Sequence, residues 1–252
     1  VERLREFFAK HGITVGASGL VAVIAANAVQ AAPVGLAVTV STAAALAGTT
    51  LATTANTSFS GVITGNIFVN KAGTGDWNLQ SVNDYTGPTL ITGSRLILQD
   101  AGRLTATASI TVNKGTLYLI NWADTFVADR VNDAAPITLN SGSIQFETRG
   151  AINNSETLGA VSLASGFNQI YPNWANNDVS PTVFTVASLT RPVGSSATLR
   201  FNNLSNLGQL GRNNFSVTAG LTNTNDIIGP WAIIDREWAS YGAYGVGGKH
   251  SR

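Results

Sequence analysis

The 252 residues carry 15 Lys+Arg against 14 Asp+Glu, and the basic residues are scattered, so the electrostatic stripe that nucleic-acid binding needs is absent. Cysteine is also absent, which removes disulfides, thiolate nucleophiles and cysteine metal sites together. A hydrophobic content of 44% excludes wholesale disorder, while 12% charged residues, against about 25% in an ordinary soluble domain, and 26 Gly suit many short strands joined by tight turns. With no Met and Val1 first, the chain is expected to be part of a longer product.

From His11 to Asn70 there is no Asp, Glu, Lys or Arg, whereas charges recur at ordinary intervals from Lys71 onward. This shift predicts two parts, residues 1–55 and 56–252. In VERLREFFAKHG, Leu4, Phe7 and Phe8 share one helical face and Gly12 stops the turn, which predicts a short amphipathic helix. ITVGASGLVAVIAANAVQAAP follows, then a second apolar stretch from Val34 after Pro33. Three readings stay open for residues 13–55. They form a secretory signal cleaved after Ala28 or Ala31, a membrane hairpin broken at Pro33, or a buried Ala-rich helical pair.

Beyond Ser60 the periodicity changes from helical to alternating, and a strand–turn–strand unit recurs. Its copies are TLITGSRLIL from Thr89, ITVNKGTLYL from Ile110, ITLNSGSIQF from Ile137, VSLASGFNQI from Val161 and ASLTRPVGSS from Ala187. The starts lie 21, 27, 24 and 26 residues apart, the range of one solenoid coil. Ile110, Val112, Leu117 and Leu119 are predicted to face inward, and Thr111, Asn113 and Tyr118 outward. Gly93, Gly115, Gly142 and Gly166 fall in the turns, where a positive φ favours glycine. Asn113 and Asn140 occupy equivalent places that suit hydrogen-bonded ladders. The expected fold is mostly β: an irregular right-handed parallel β-helix or solenoid after one or two N-terminal apolar helices.

Thr74–Leu98, TGDWNLQSVNDYTGPTLITGSRLIL, resembles the autotransporter-associated β-strand repeat, with Asn83, Tyr85, Thr86, Gly87 and Leu96 at matching places. Pro88 and Ser94-Arg95 depart from that pattern. The resemblance spans roughly residues 59–248 and implies a passenger-type β-helix of a bacterial cell-surface or secreted protein, acting as a stalk or adhesion surface, with no catalytic residues to carry over. Residues 1–55 are similar to the membrane-proximal tail of long bacterial sigma-factor-like proteins, which implies a membrane anchor joined to repeat cargo.

Little catalytic chemistry is visible. The two histidines, His11 and His250, lie at opposite ends, and no Gly-x-Ser-x-Gly elbow, phosphate loop or dinucleotide fingerprint occurs. Asp129, Asp133, Glu147 and Glu156 are the carboxylates that a polysaccharide-acting β-helix enzyme would draw on. They do not recur at one register. Exposed rings are the stronger hint: Tyr118, Trp122, Tyr171 and Trp174 are candidates to stack on sugars, with Phe126, Tyr241 and Tyr244 beside them and Trp231 and Trp238 near a predicted end cap. The expectation is therefore a non-enzymatic adhesive or structural segment needing no cofactor or metal. Its expected partners are a cell-surface glycan or matrix protein, neighbouring coils of a longer chain, and a membrane through residues 13–55. A polysaccharide-acting enzyme and a membrane-anchored regulatory remnant are the alternatives.

Overall fold

Alternation puts every second side chain of a strand on one face, and the chain uses that pattern in short strands from residue 49 onward. The computed structural model describes residues 49–122, 125–148, 154–174, 182–202, 207–208 and 213–248. The helix expected in residues 1–12 and most of the signal or membrane segment expected over residues 13–55 lie outside them, as do His11 and His250, while residues 49–52 of that segment form a strand. Among the described residues no helix is long and apolar enough to cross a membrane.

In chain order the strands are β1 (Thr49–Ala52), β2 (Thr57–Phe59), β3 (Val69–Ala72), β4 (Trp77–Leu79), β5 (Val82–Asn83), β6 (Thr89–Ile91), β7 (Arg95–Leu98), β8 (Arg103–Leu104), β9 (Ile110–Asn113), β10 (Thr116–Asn121) and β11 (Ile137–Asn140). They continue with β12 (Ser143–Thr148), β13 (Asn154–Leu158), β14 (Val161–Ser165), β15 (Phe167–Trp174), β16 (Thr182–Val186), β17 (Leu189–Thr190), β18 (Thr198–Phe201), β19 (Asn214–Val217), β20 (Ala232–Ile234), β21 (Glu237–Gly242) and β22 (Gly245–Gly248). One sheet runs β1-β3-β6-β9-β11-β14-β17, and a second runs β2-β4-β7-β10-β12-β15-β18-β20-β21-β22. A third runs β13-β16-β19, and β5 pairs with β8. The described fold is mostly β, and its sheets are parallel until β20.

Consecutive strands of each sheet come from successive repeats. Val69 pairs with Thr89, Thr89 with Ile110, Ile110 with Ile137, Ile137 with Val161 and Val161 with Leu189. The first four expected starts, Thr89, Ile110, Ile137 and Val161, are therefore true register partners. The last is shifted, because Leu189 rather than Ala187 lies opposite Val161. Two earlier strands, β1 and β3, extend the same register ahead of the first copy read from the sequence.

The register builds apolar columns. Trp77, Leu96, Leu117, Ile144, Ile170, Phe201 and Ile234 succeed one another across the ten-stranded sheet, and each is buried. A second column, Leu79, Leu98, Leu119 and Phe146, runs beside it. From the seven-stranded sheet Ile91, Val112, Leu139 and Leu163 join the same core. Toward the C-terminal side the core becomes aromatic, with Phe184 5.5 Å from Phe146 and 5.6 Å from Phe215. At about 25 cal/mol per Å² of apolar area such columns dominate the stabilisation.

One column position breaks the pattern. Lys71 lies opposite Ile91 and is fully buried. Its stem fills the aliphatic site while Nζ donates to the carbonyls of Ala72 at 3.0 Å and Gly93 at 2.9 Å. Burial lowers its pKa, against an opposing pull from Asp76.

The turn glycines are required for a different reason than expected. Only Gly166 has the positive φ, 66°; at the other turns Ser94, Lys114 and Ser141 take it instead. A Cβ on Gly93 would lie 2.7 Å from the Gly73 carbonyl oxygen, and one on Gly142 2.6 Å from that of Val112. Close approach of the preceding repeat excludes a side chain there. The Asn ladder also differs in its partners. Asn113 and Asn140 are in register, and the side-chain bond runs from Ser165 Oγ to Asn140 Oδ1 at 3.2 Å.

Parallel order ends with β20, where β21 and then β22 pair antiparallel. Tyr241 OH donates to the Val217 carbonyl at 3.0 Å and accepts from its N–H at 3.1 Å, which satisfies the edge of β19. Trp231 and Tyr241 pack partly buried against the core, while Trp238 is exposed.

Leu119 sits fully buried between Leu98 and Phe146, so Leu119→Ala is expected to lower the unfolding free energy by about 2–5 kcal/mol. Urea titration followed by strand-region circular dichroism reads the loss, and an unchanged midpoint would contradict the column.

Candidate functional site

The outer face of the ten-stranded sheet carries a cluster of titratable and aromatic side chains outside the main core. Alternation that sends Leu96, Leu117 and Ile144 inward sends Arg95, Ile97, Tyr118, Gln145 and Glu147 outward. Tyr118 points to that face as expected, but it is buried, not exposed. The reason is its neighbours: Ile97 lies beside it on β7 and Ile120 two residues along β10, so outward apolar side chains make a small second cluster, with Trp122 packed against it.

Arg95 closes the cluster. Its Cζ lies 5.4 Å from the Tyr118 ring centroid, a cation–π contact. Its Nε donates to Asp76 Oδ2 at 3.0 Å, and Nη2 donates to the same oxygen. Ser94 Oγ donates to Asp76 Oδ1 at 2.5 Å. Tyr118 OH donates to the Glu147 carboxylate, one strand away. The Arg95 hydrogen bond holds the Asp76 carboxyl below the usual range, outweighing the upward push of burial, and the same bond raises Arg95.

The remaining expected site residues are dispersed. Tyr171 is half-buried on β15, and its OH donates to Gln169 Oε1. Trp122 is half-buried after β10. Trp174 stands opposite Thr148 on β15, and its side chain lies outside the described residues. Phe126 and Tyr244 are exposed. Asp129 and Asp133 are exposed between β10 and β11, Glu147 is engaged by Tyr118, and Glu156 is interior. Among the described residues no group of three His, Cys, Asp or Glu converges as a metal site.

The repeat-motif residues hold adjacent repeats together. Asn83 Oδ1 accepts from Ile63 N–H at 2.9 Å while Nδ2 donates to the carbonyls of Ser81 and Arg103. Asn168 performs the same task for Gly142 and Thr198. Tyr85 is buried, its OH 2.5 Å from Thr89 Oγ1, and burial pushes its pKa up to about 12. Gly87 leaves no room for a Cβ, which would lie 1.9 Å from the Ile67 carbonyl oxygen. Thr86 is exposed and its N–H donates to Gly65 O, and Leu96 is a core residue.

A charged bridge was not visible in the sequence. Glu156, on β13, accepts from the N–H groups of Arg130 at 3.0 Å and Val131 at 3.1 Å. Arg130 is itself buried and donates to Asn121 Oδ1 at 2.8 Å and to the carbonyls of Gly102 and Asp100 at 2.7 and 3.2 Å. Burial raises the Glu156 pKa against the pull of those N–H donors, and lowers Arg130 to about 10. Four further residues also escaped the sequence reading: Arg95 with its Asp76 partner, Phe167 and Arg200. The alternation Phe167-Asn168-Gln169-Ile170-Tyr171 after Gly166 was the available signal for Phe167.

The chain matches no protein-family model, no curated protein and no solved structure.

Two outcomes follow. Because the folded pKa of Asp76 lies below its unfolded value, about 3.9, its contribution is present above that value and is lost as pH falls through the lowered one. Melts from pH 5 to 2 should fall less steeply for Asp76→Asn than for the parent. At Glu156, alanine leaves the Arg130 and Val131 N–H groups without their acceptor and should cost about 2–3 kcal/mol or more, while Glu156→Gln keeps one acceptor oxygen and should lose clearly less. Equal losses in urea titration would refute the bridging role.

Proposed function

We propose that the chain is a non-catalytic adhesive or structural segment of a bacterial surface or secreted protein, built as a right-handed parallel β-helix of autotransporter-associated type. The observation that carries this reading is the outer face of the seven-stranded sheet. Its outward column runs Asn70, Leu90, Thr111, Thr138, Ser162 and Thr190 in unbroken register. None is charged. Strands about 4.8 Å apart thus display a row of hydroxyl and amide groups, interrupted by Leu90, at a fixed repeat, which suits multivalent contact with a surface more than turnover of a single substrate.

The carboxylates support the same reading. Glycosidases set two carboxyl groups about 5–10 Å apart at the scissile bond, whereas here Glu156 spends its oxygens on two backbone N–H groups and Glu147 accepts from Tyr118. The membrane anchor is proposed for the part of residues 13–55 that precedes β1.

Beads coated with the whole chain are expected to adhere to bacterial or host cell surfaces and to release no reducing sugar from a panel of neutral and acidic glycans. Glycan cleavage that Glu147→Gln abolishes would replace this reading with the polysaccharide-acting enzyme.

A further inference from the structure

A second outer surface, distinct from the Thr/Asn column, lies on the ten-stranded sheet around β15. Phe167, Gln169 and Tyr171 alternate outward along that strand, Phe167 being 48% exposed. Gln145 stands opposite Tyr171 on β12, and Arg200 stands opposite Gln169 on β18. Beyond Arg200 come Ile233 on β20 and then Trp238 on β21, 46% exposed. Three strand steps of about 4.8 Å place Trp238 ~14 Å from Gln169 along the stack. Aromatic rings therefore flank a centre of amides and one guanidinium.

The charge distribution selects the occupant. Among the described outward residues of β12, β15, β18 and β20, Arg200 is the sole cation, and the one carboxylate, Glu147, is engaged by Tyr118. Arg200 Nε is shielded from solvent and has no hydrogen-bond partner among the described residues, so a ligand has to meet the guanidinium at its terminal nitrogens. A guanidinium recognises a carboxylate by paired N–H donors, and aromatic faces pack on the C–H faces of sugar rings. The strand spacing is close to the length of one sugar ring in an extended chain, so a linear glycan laid along the stack meets a new outward side chain at about every ring.

We propose that this surface binds a linear uronate-bearing glycan, with Arg200 pairing to a sugar carboxylate, Phe167, Tyr171 and Trp238 packing on rings, and Gln145 and Gln169 bonding hydroxyls. The inference deepens the adhesive reading by naming its partner, but uses a different sheet face.

The test is binding of the whole chain to immobilised hyaluronan, alginate and polygalacturonate, with dextran as the neutral control, in low and high salt. At least one uronate glycan is expected to bind, dextran is not, and salt weakens the binding. Arg200→Gln and Trp238→Ala should each weaken it about tenfold, and Arg200→Lys should retain more than Arg200→Gln, with unchanged circular dichroism in all three. Equal binding to dextran, absence of binding to all three uronate glycans, or full binding by both Arg200→Gln and Trp238→Ala overturns the proposal. Beads that still adhere to cells while no uronate glycan binds overturn the glycan site and leave the adhesive reading standing. Beads that fail to adhere while the glycan still binds do the reverse.

Discussion

In-register stacking of one repeat on the next is the constraint on which the rest depends. No single repeat has a second layer of its own to cover its apolar face, so Leu117 is shielded because Leu96 and Ile144 lie on either side of it. The backbone ladder enforces the alignment. A slip of one residue would turn every inward side chain to the outer face, and would also drive the turn carbonyls of one repeat into the space that Gly87, Gly93 and Gly142 keep clear.

That constraint explains the polar groups admitted to the interior. Repeats of unequal length cannot close every turn with backbone bonds alone. Between Ile110 and Ile137 the repeat lengthens from 21 to 27 residues, and around this step the pairing of β8 continues only as the single bridge of Leu104 to Val131. Glu156 then supplies from its side chain what a neighbouring strand would supply from its carbonyls, and Arg130 reaches back to Asp100 and Gly102. Asn83, Asn168 and Lys71 serve the same need at other turns. Each of these five groups is tolerable because its buried side chain is hydrogen-bonded.

Much of the architecture was legible because the constraint leaves a periodic trace. Alternation and the 21-, 27- and 24-residue spacings identified strands that the fold pairs in that register. What escaped has a physical reason in each case. β3 was hidden because Lys71 occupies a position that branched aliphatics fill in later repeats. Tyr118 was assigned to an exposed face because alternation reports which side a residue points to and not what gathers there. The turn glycines were recognised, but their cause lies in a repeat some twenty residues away, which local sequence does not display. The Arg95–Asp76 and Arg130–Glu156 arrangements join residues 19 to 26 apart, with no motif to announce them. Among the candidate rings Phe126, Trp238 and Tyr244 are exposed and Tyr171 is half-buried, and Phe167 had to be found from its place on β15.

A stack of identical parallel strands has no intrinsic stopping point, since the last member offers the same unpaired edge that welcomed it, and such edges invite accretion of foreign chain. Reversal of direction at β21, followed by the glycine-rich β22 and the Tyr241 hydroxyl seated on Val217, breaks this self-templating. At that side of the ten-stranded sheet, growth by adding another strand in the old orientation would first require the hairpin to peel away. The same few residues that finish the core thus act as a guard against polymerisation, so that neighbouring molecules at that side are left to meet through side chains instead of merging their backbones.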